Sequence, residues 1–118
     1  MNYKLEQNRE KWIKALRSGF YKQTTCYLQV NDSYCCLGVA CDVYEKETGN
    51  RLIPGGIGEN LEDHPEVKDW LGLNTNEGHF RLENGGLSCL VDLNDVDQLT
   101  FEEIADIIEL EPKGLFRS

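Results

Sequence analysis

The sequence predicts an α+β fold: a small antiparallel sheet with three to four helices packed mainly on one face, as a single domain over residues 1–118. Three features carry that prediction. Residues 4–18 place apolar side chains at helical spacing. Residues 26–30 and 80–93 change to period two, the second stretch folding about Asn84-Gly85-Gly86. Residues 99–109 hold a complete helix-start signature.

In the first helix, Leu5, Trp12, Ile13 and Leu16 share one side, while Lys11, Lys14 and Arg17 lie off that stripe. Gly19 can take the left-handed stop, and Phe20 can then fold back on the preceding turn. In the next strand Cys26, Leu28 and Val30 face one way, Tyr27 and Gln29 the other. Asn31-Asp32-Ser33 forms a turn through side-chain bonds to the local backbone.

Residues 34–44 are the least polar stretch and predict a core helix running to about Glu47 and stopped by Gly49. Gly38 inside it costs about 1 kcal/mol relative to Ala, a cost offset where another backbone or a ligand comes close; simple packing is the commoner reason. Residues 54–58 read as a Gly-rich loop without the spacing of a phosphate-binding motif. Asp63 is the expected N-cap of a short helix through Val67 and Trp70 to Gly72, with Pro65 in its first turn, Glu66 completing a capping box and His64 at the surface.

The hairpin follows, with Phe80–Glu83 as one arm and Leu87–Leu93 as the other. In the last helix Thr100 caps, Glu103 reaches back and Leu99 staples to Ile104. Ile104, Ile107 and Ile108 form its buried stripe, and Pro112 ends it.

Composition narrows the function. The chain has 118 residues, 40% hydrophobic, and a net charge of -9. No apolar run approaches the roughly 18 residues of a membrane span. Met1–Leu5 lack the apolar core of a signal peptide, so the expected location is the cytoplasm. An acidic pI near 4.6 argues against direct DNA or membrane binding, since both attract positive charge. The charge is uneven: residues 1–22 hold six of the twelve basic residues and carry +4, leaving -13 on the rest. That reads mainly as a basic helix lying beside its own acidic body, with Arg17 and Lys22, which flank a turn, as the exceptions.

The five cysteines are odd in number and two are adjacent, which does not suit a disulfide framework. Cys35 and Cys41 are six apart and His64 and His79 isolated, so no metal site is read from spacing and no cofactor is implied.

The segments Trp12–Gln23, Tyr34–Asp42, Trp70–Leu73, Leu93–Asp95 and Phe101–Glu109, in that order, resemble a family of small accessory proteins recurring in tailed-phage genomes and prophages. The resemblance covers most of the chain outside residues 45–64. It implies a counter-defence role in the cytoplasm of an infected bacterium.

Three functions suit these residues. The first is sequestration of a small nucleotide signal. Tyr21 and Tyr34 offer stacking faces, Gln23 and Asn94 amides to read a base edge, Arg17 and Lys22 charges for phosphate, and Asp95 an acceptor for a ribose hydroxyl. A homo-oligomer is compatible with it, as such binders often build sites between subunits. The second is inhibition of a host defence protein by an acidic surface that imitates nucleic acid. The third is a small cysteine hydrolase, with Cys35 or Cys36 at a helix start as nucleophile, His79 as base and Asp92 or Asn94 orienting it.

Overall fold

The structure is a computed structural model that describes residues 3–52 and 60–117. Along the chain run α1 (Tyr3–Arg17), β1 (Lys22–Gln23), β2 (Gln29–Val30), β3 (Ser33–Tyr34), α2 (Cys36–Thr48), a 3-10 turn (Leu61–Asp63), α3 (Pro65–Leu71), β4 (His79–Arg81), β5 (Leu87–Cys89), α4 (Leu90–Asp95) and α5 (Phe101–Glu109). The α+β class holds. The strands form a three-stranded mixed sheet in the order β1-β3-β2, with β1 parallel and β2 antiparallel to β3, and a separate β4-β5 hairpin. The Gly-rich loop expected at residues 54–58 lies outside the described residues.

The core is helical. Helix α1 packs against α2, α3 and α5, burying Trp12 and Leu16 as its spacing predicts. The Trp12 indole N–H, which needs a partner once buried, donates to the Cys36 carbonyl at 2.9 Å. On a neighbouring face Asn8, buried among apolar groups, donates to the Trp70 carbonyl, and Arg9 Nε donates to the Leu71 carbonyl, both at 2.8 Å. These are last-turn carbonyls of α3 that have no partner within that helix, so α1 side chains cap α3 from outside.

Several local expectations give way to tertiary structure. Cys26 adopts φ +73 and is exposed, so only Gln29–Val30 of the predicted strand is extended and Leu28 alone is buried. Phe20 does not fold back; it stays 73% exposed, edge-on to Tyr21. Asp63 closes the 3-10 turn that Asn60 caps, so the N-cap of α3 is His64, which makes no side-chain cap bond and is 6% exposed, not at the surface. The second hairpin arm stops at Cys89, and Leu90–Asp95 is helical because Leu90, Leu93 and Asn94 fall at helical spacing and all point inward.

The basic helix does lie beside an acidic one. Arg17, read from the sequence as a charge for phosphate, contacts Glu102, Asp106 and Glu109 of α5 at 3.6, 2.5 and 3.2 Å. Capping of α5 is as read, with Thr100 and Glu103 bonded reciprocally at 3.0 and 3.1 Å. No helix among the described residues is long and apolar enough to cross a membrane.

A candidate ligand-binding depression beside Asn94

Position 94 is the junction of the candidate site. Asn94 is 1% exposed, and each polar group of its amide is used. Its Oδ1 accepts from Gln23 Nε2 at 2.9 Å and from the Cys36 backbone N–H at 3.3 Å. Its Nδ2 donates to the Thr24 carbonyl at 2.7 Å and to Asp95 Oδ1 at 2.8 Å. One side chain of α4 therefore ties together β1, the loop after it and the start of α2. A buried amide left unpaired would cost about 1–3 kcal/mol, so this junction is well determined.

Five of the seven residues read as ligand-binding adjoin one another. Gln23 bonds Asn94, which bonds Asp95. Gln23 is also in register with Tyr34, whose ring meets Tyr21 edge-on at 5.1 Å. The other two stand apart. Lys22 is exposed and alternates to the opposite side of β1 from Gln23, and Arg17 is held by the carboxylates of α5.

The rings of Tyr21 and Tyr34 carry their own polar partner. Tyr21 OH donates to Asp42 Oδ2 at 2.5 Å, and Lys46 sits 3.0 Å from the same carboxylate and over the Phe20 and Tyr21 rings. Burial first, then Asp42, pushes the Tyr21 phenol up to about 12. Tyr21 is a neutral donor over the ordinary pH range.

Beside the amide junction lies a depression of about 430 Å³ lined by Gln23, Thr24, Thr25, Asn94 and Gln98. Its lining carries no net charge. Gln23 Nε2 is engaged by Asn94 and by the Leu99 carbonyl at 2.7 Å, which leaves its Oε1 as an acceptor. Nothing local in the sequence marks Thr24, Thr25 or Gln98, because two adjacent threonines and a glutamine in a turn have no motif. A conformational signal accompanies them: Gln98 holds φ +52 and Cys26, just past Thr25, holds φ +73. Side chains other than glycine adopt this region at a cost of about 1 kcal/mol or more, and such positions cluster at binding sites.

The hydrolase arrangement does not assemble. Cys36 is 1% exposed, its thiol directed at the Leu90 carbonyl at 3.6 Å, and burial pushes its pKa well up. Burial also lifts Cys35 to about 11, where its sulfur accepts from the Gly38 N–H at the start of α2. Both behave as inert core thiols at neutral pH. His79 and Glu77 gather on Cys89 instead.

The chain belongs to a family described as a domain of unknown function, DUF8296, whose model matches residues 1–112. No curated protein and no solved structure matches it.

Proposed function

We propose that this is a phage-type counter-defence protein that binds and sequesters a small nucleotide-like signal in the depression beside Asn94. The observation that carries the reading is the Gln23–Asn94 amide pair, joined across 71 residues of sequence, which forms one wall of a polar, uncharged hollow. The Gln23 acceptor and the Gln98 amide suit the donor and acceptor edge of a base, and the Thr24 and Thr25 hydroxyls suit ribose. Among the described residues no cation lines the hollow, so a phosphate group would face solvent. Sequestration needs no chemical group in the site, which accords with the buried, inert thiols of α2.

Thermal-shift screening of the reduced protein against cyclic and linear nucleotides and the matching nucleosides tests this. A raised midpoint with the ligand recovered intact supports sequestration, and recovery of a product would replace it with catalysis. A ligand present at 100 times its Kd stabilises the folded state by about 2.7 kcal/mol, an easily read shift.

A second reading, capture of a basic host protein, is favoured by a groove of about 230 Å³ lined by Glu6, Glu10, Glu109 and Glu111 together with Arg9 and Phe116, in which Glu111 pairs with Arg9 and Glu109 with Arg17, leaving Glu6 and Glu10 for a partner. Exposed carboxylates there would steer a basic partner in a strongly salt-dependent way. Salt-insensitive capture would count against it.

A further inference from the structure

We propose that Glu77, His79 and Cys89 form a binding site for a zinc-class divalent cation at the base of the β4-β5 hairpin. One ligand atom from each of the three lies within 4.8 Å of the other two. The hairpin register makes the pair: His79 and Cys89 are directly opposite on antiparallel strands, so their side chains share a face. The segment carrying Glu77 is pinned to the same region by two backbone bonds. Leu90 N–H donates to the Gly78 carbonyl at 3.0 Å and Val91 N–H to the Glu77 carbonyl at 3.3 Å.

The surrounding bonds orient two of the three ligands. Thr75 Oγ1 accepts the His79 backbone N–H at 2.9 Å and lies 3.1 Å from His79 Nδ1, which restrains the imidazole. The Asp92 N–H donates to Cys89 Sγ at 3.4 Å, a bond that favours the thiolate and partly offsets burial, which on balance raises this thiol's pKa. Outer contacts of this kind set the orientation and basicity of metal ligands.

The donor set decides the cation. A thiolate, an imidazole and a carboxylate suit zinc, whereas calcium and magnesium take oxygen ligands almost throughout. A tetrahedral zinc site brings ligand atoms to about 3.3–3.8 Å from one another, so the three groups need to close by about 1 Å. The thiol proton leaves to solvent as the metal–sulfur bond forms. Cys89 is 5% exposed, His79 half-buried and Glu77 the most open of the three, which gives the ion a path from solvent and a fourth position for water. Spacing along the chain gave no hint of this, because two ligands are ten residues apart and meet only through strand pairing.

Cobalt(II) titration of the reduced full-length protein tests the site. The expected result is one equivalent bound with intense d–d bands and a thiolate-to-cobalt charge-transfer band, competed away by zinc. Zinc should also raise the thermal midpoint by several °C. Cys89→Ser should lose the charge-transfer band. Glu77→Gln, which keeps the side chain's size, should keep the band but weaken binding at least tenfold. Cys26→Ser should change neither. Retention of the band in Cys89→Ser, its loss in Cys26→Ser, unchanged affinity in Glu77→Gln, or absence of the band in the unaltered protein would each overturn the proposal.

Discussion

A Cβ built on Gly38 would lie 1.7 Å from the carbonyl oxygen of Leu28. The same carbonyl accepts the Cys35 N–H at 3.1 Å, so the loop before β2 is laid directly across the start of α2. This contact explains a glycine inside an otherwise apolar helix, and it is backbone approach, not simple side-chain packing. Gly38→Ala should therefore destabilise the protein by at least about 2 kcal/mol, despite alanine's better helix propensity. Urea unfolding checks it; a gain in stability would show that the loop yields.

The Asn94 junction makes a larger claim. Asn94→Ala would leave the Cys36 N–H and the Thr24 carbonyl without their partner, while Gln23 Nε2 keeps the Leu99 carbonyl. The expected cost is about 2 kcal/mol or more, since each buried group left unpaired costs about 1–3 kcal/mol. Denaturant midpoints measure this, and a change under about 1 kcal/mol would mean that water replaces the amide without penalty.

Thiol reactivity separates a core role from a catalytic one. Cys26 is exposed, Cys41 half-buried and Cys35, Cys36 and Cys89 buried. An aromatic disulfide reagent should titrate Cys26 first in the native protein and all five thiols after unfolding. Fast loss of Cys36 would revive the hydrolase reading.

Alkaline pH should weaken the fold. Burial raises the Cys35 thiol from 9.0 to about 11 and, with Asp42, the Tyr21 phenol from 10.0 to about 12. Between the unfolded and folded values the unfolded chain has released protons that the folded protein retains. Their stabilisation is thus full below pH 9 and 10 respectively, and is lost as pH rises toward 11 and 12. Tyr21 is half-buried, so its share is roughly 1 kcal/mol after solvent screening. Tyr21→Phe should make the fall above pH 10 shallower, with the buried thiols accounting for what remains, and an unchanged profile would contradict the assignment.

What the sequence made legible follows from how local each signal is. The α5 capping box needs only Thr100 and Glu103, three residues apart, and it formed as read. The α1 stripe is likewise complete within one helix. Leu87, Cys89, Val91 and Leu93 suited a strand, yet Leu90, Leu93 and Asn94 suit a helix equally well; a run this short does not discriminate, and burial of the second set decided it. Cys26 and Gln98 hold left-handed backbone and His64 is buried, and no local pattern in the sequence marks any of the three. For the depression, the sequence marked Gln23 and Asn94 but neither the threonines nor Gln98, which matter only because the fold brings them together.

Gln98→Gly is the substitution that most directly tests ligand binding at the depression. Glycine accepts φ +52 without strain, so thermal stability should be kept or raised. Titration calorimetry with the ligand that shifts the wild-type midpoint most should give one site per chain, weakened about tenfold in Gln98→Gly, the equivalent of one lost hydrogen bond. Undiminished affinity in that variant, or no binding heat from any nucleotide or nucleoside, would contradict the account.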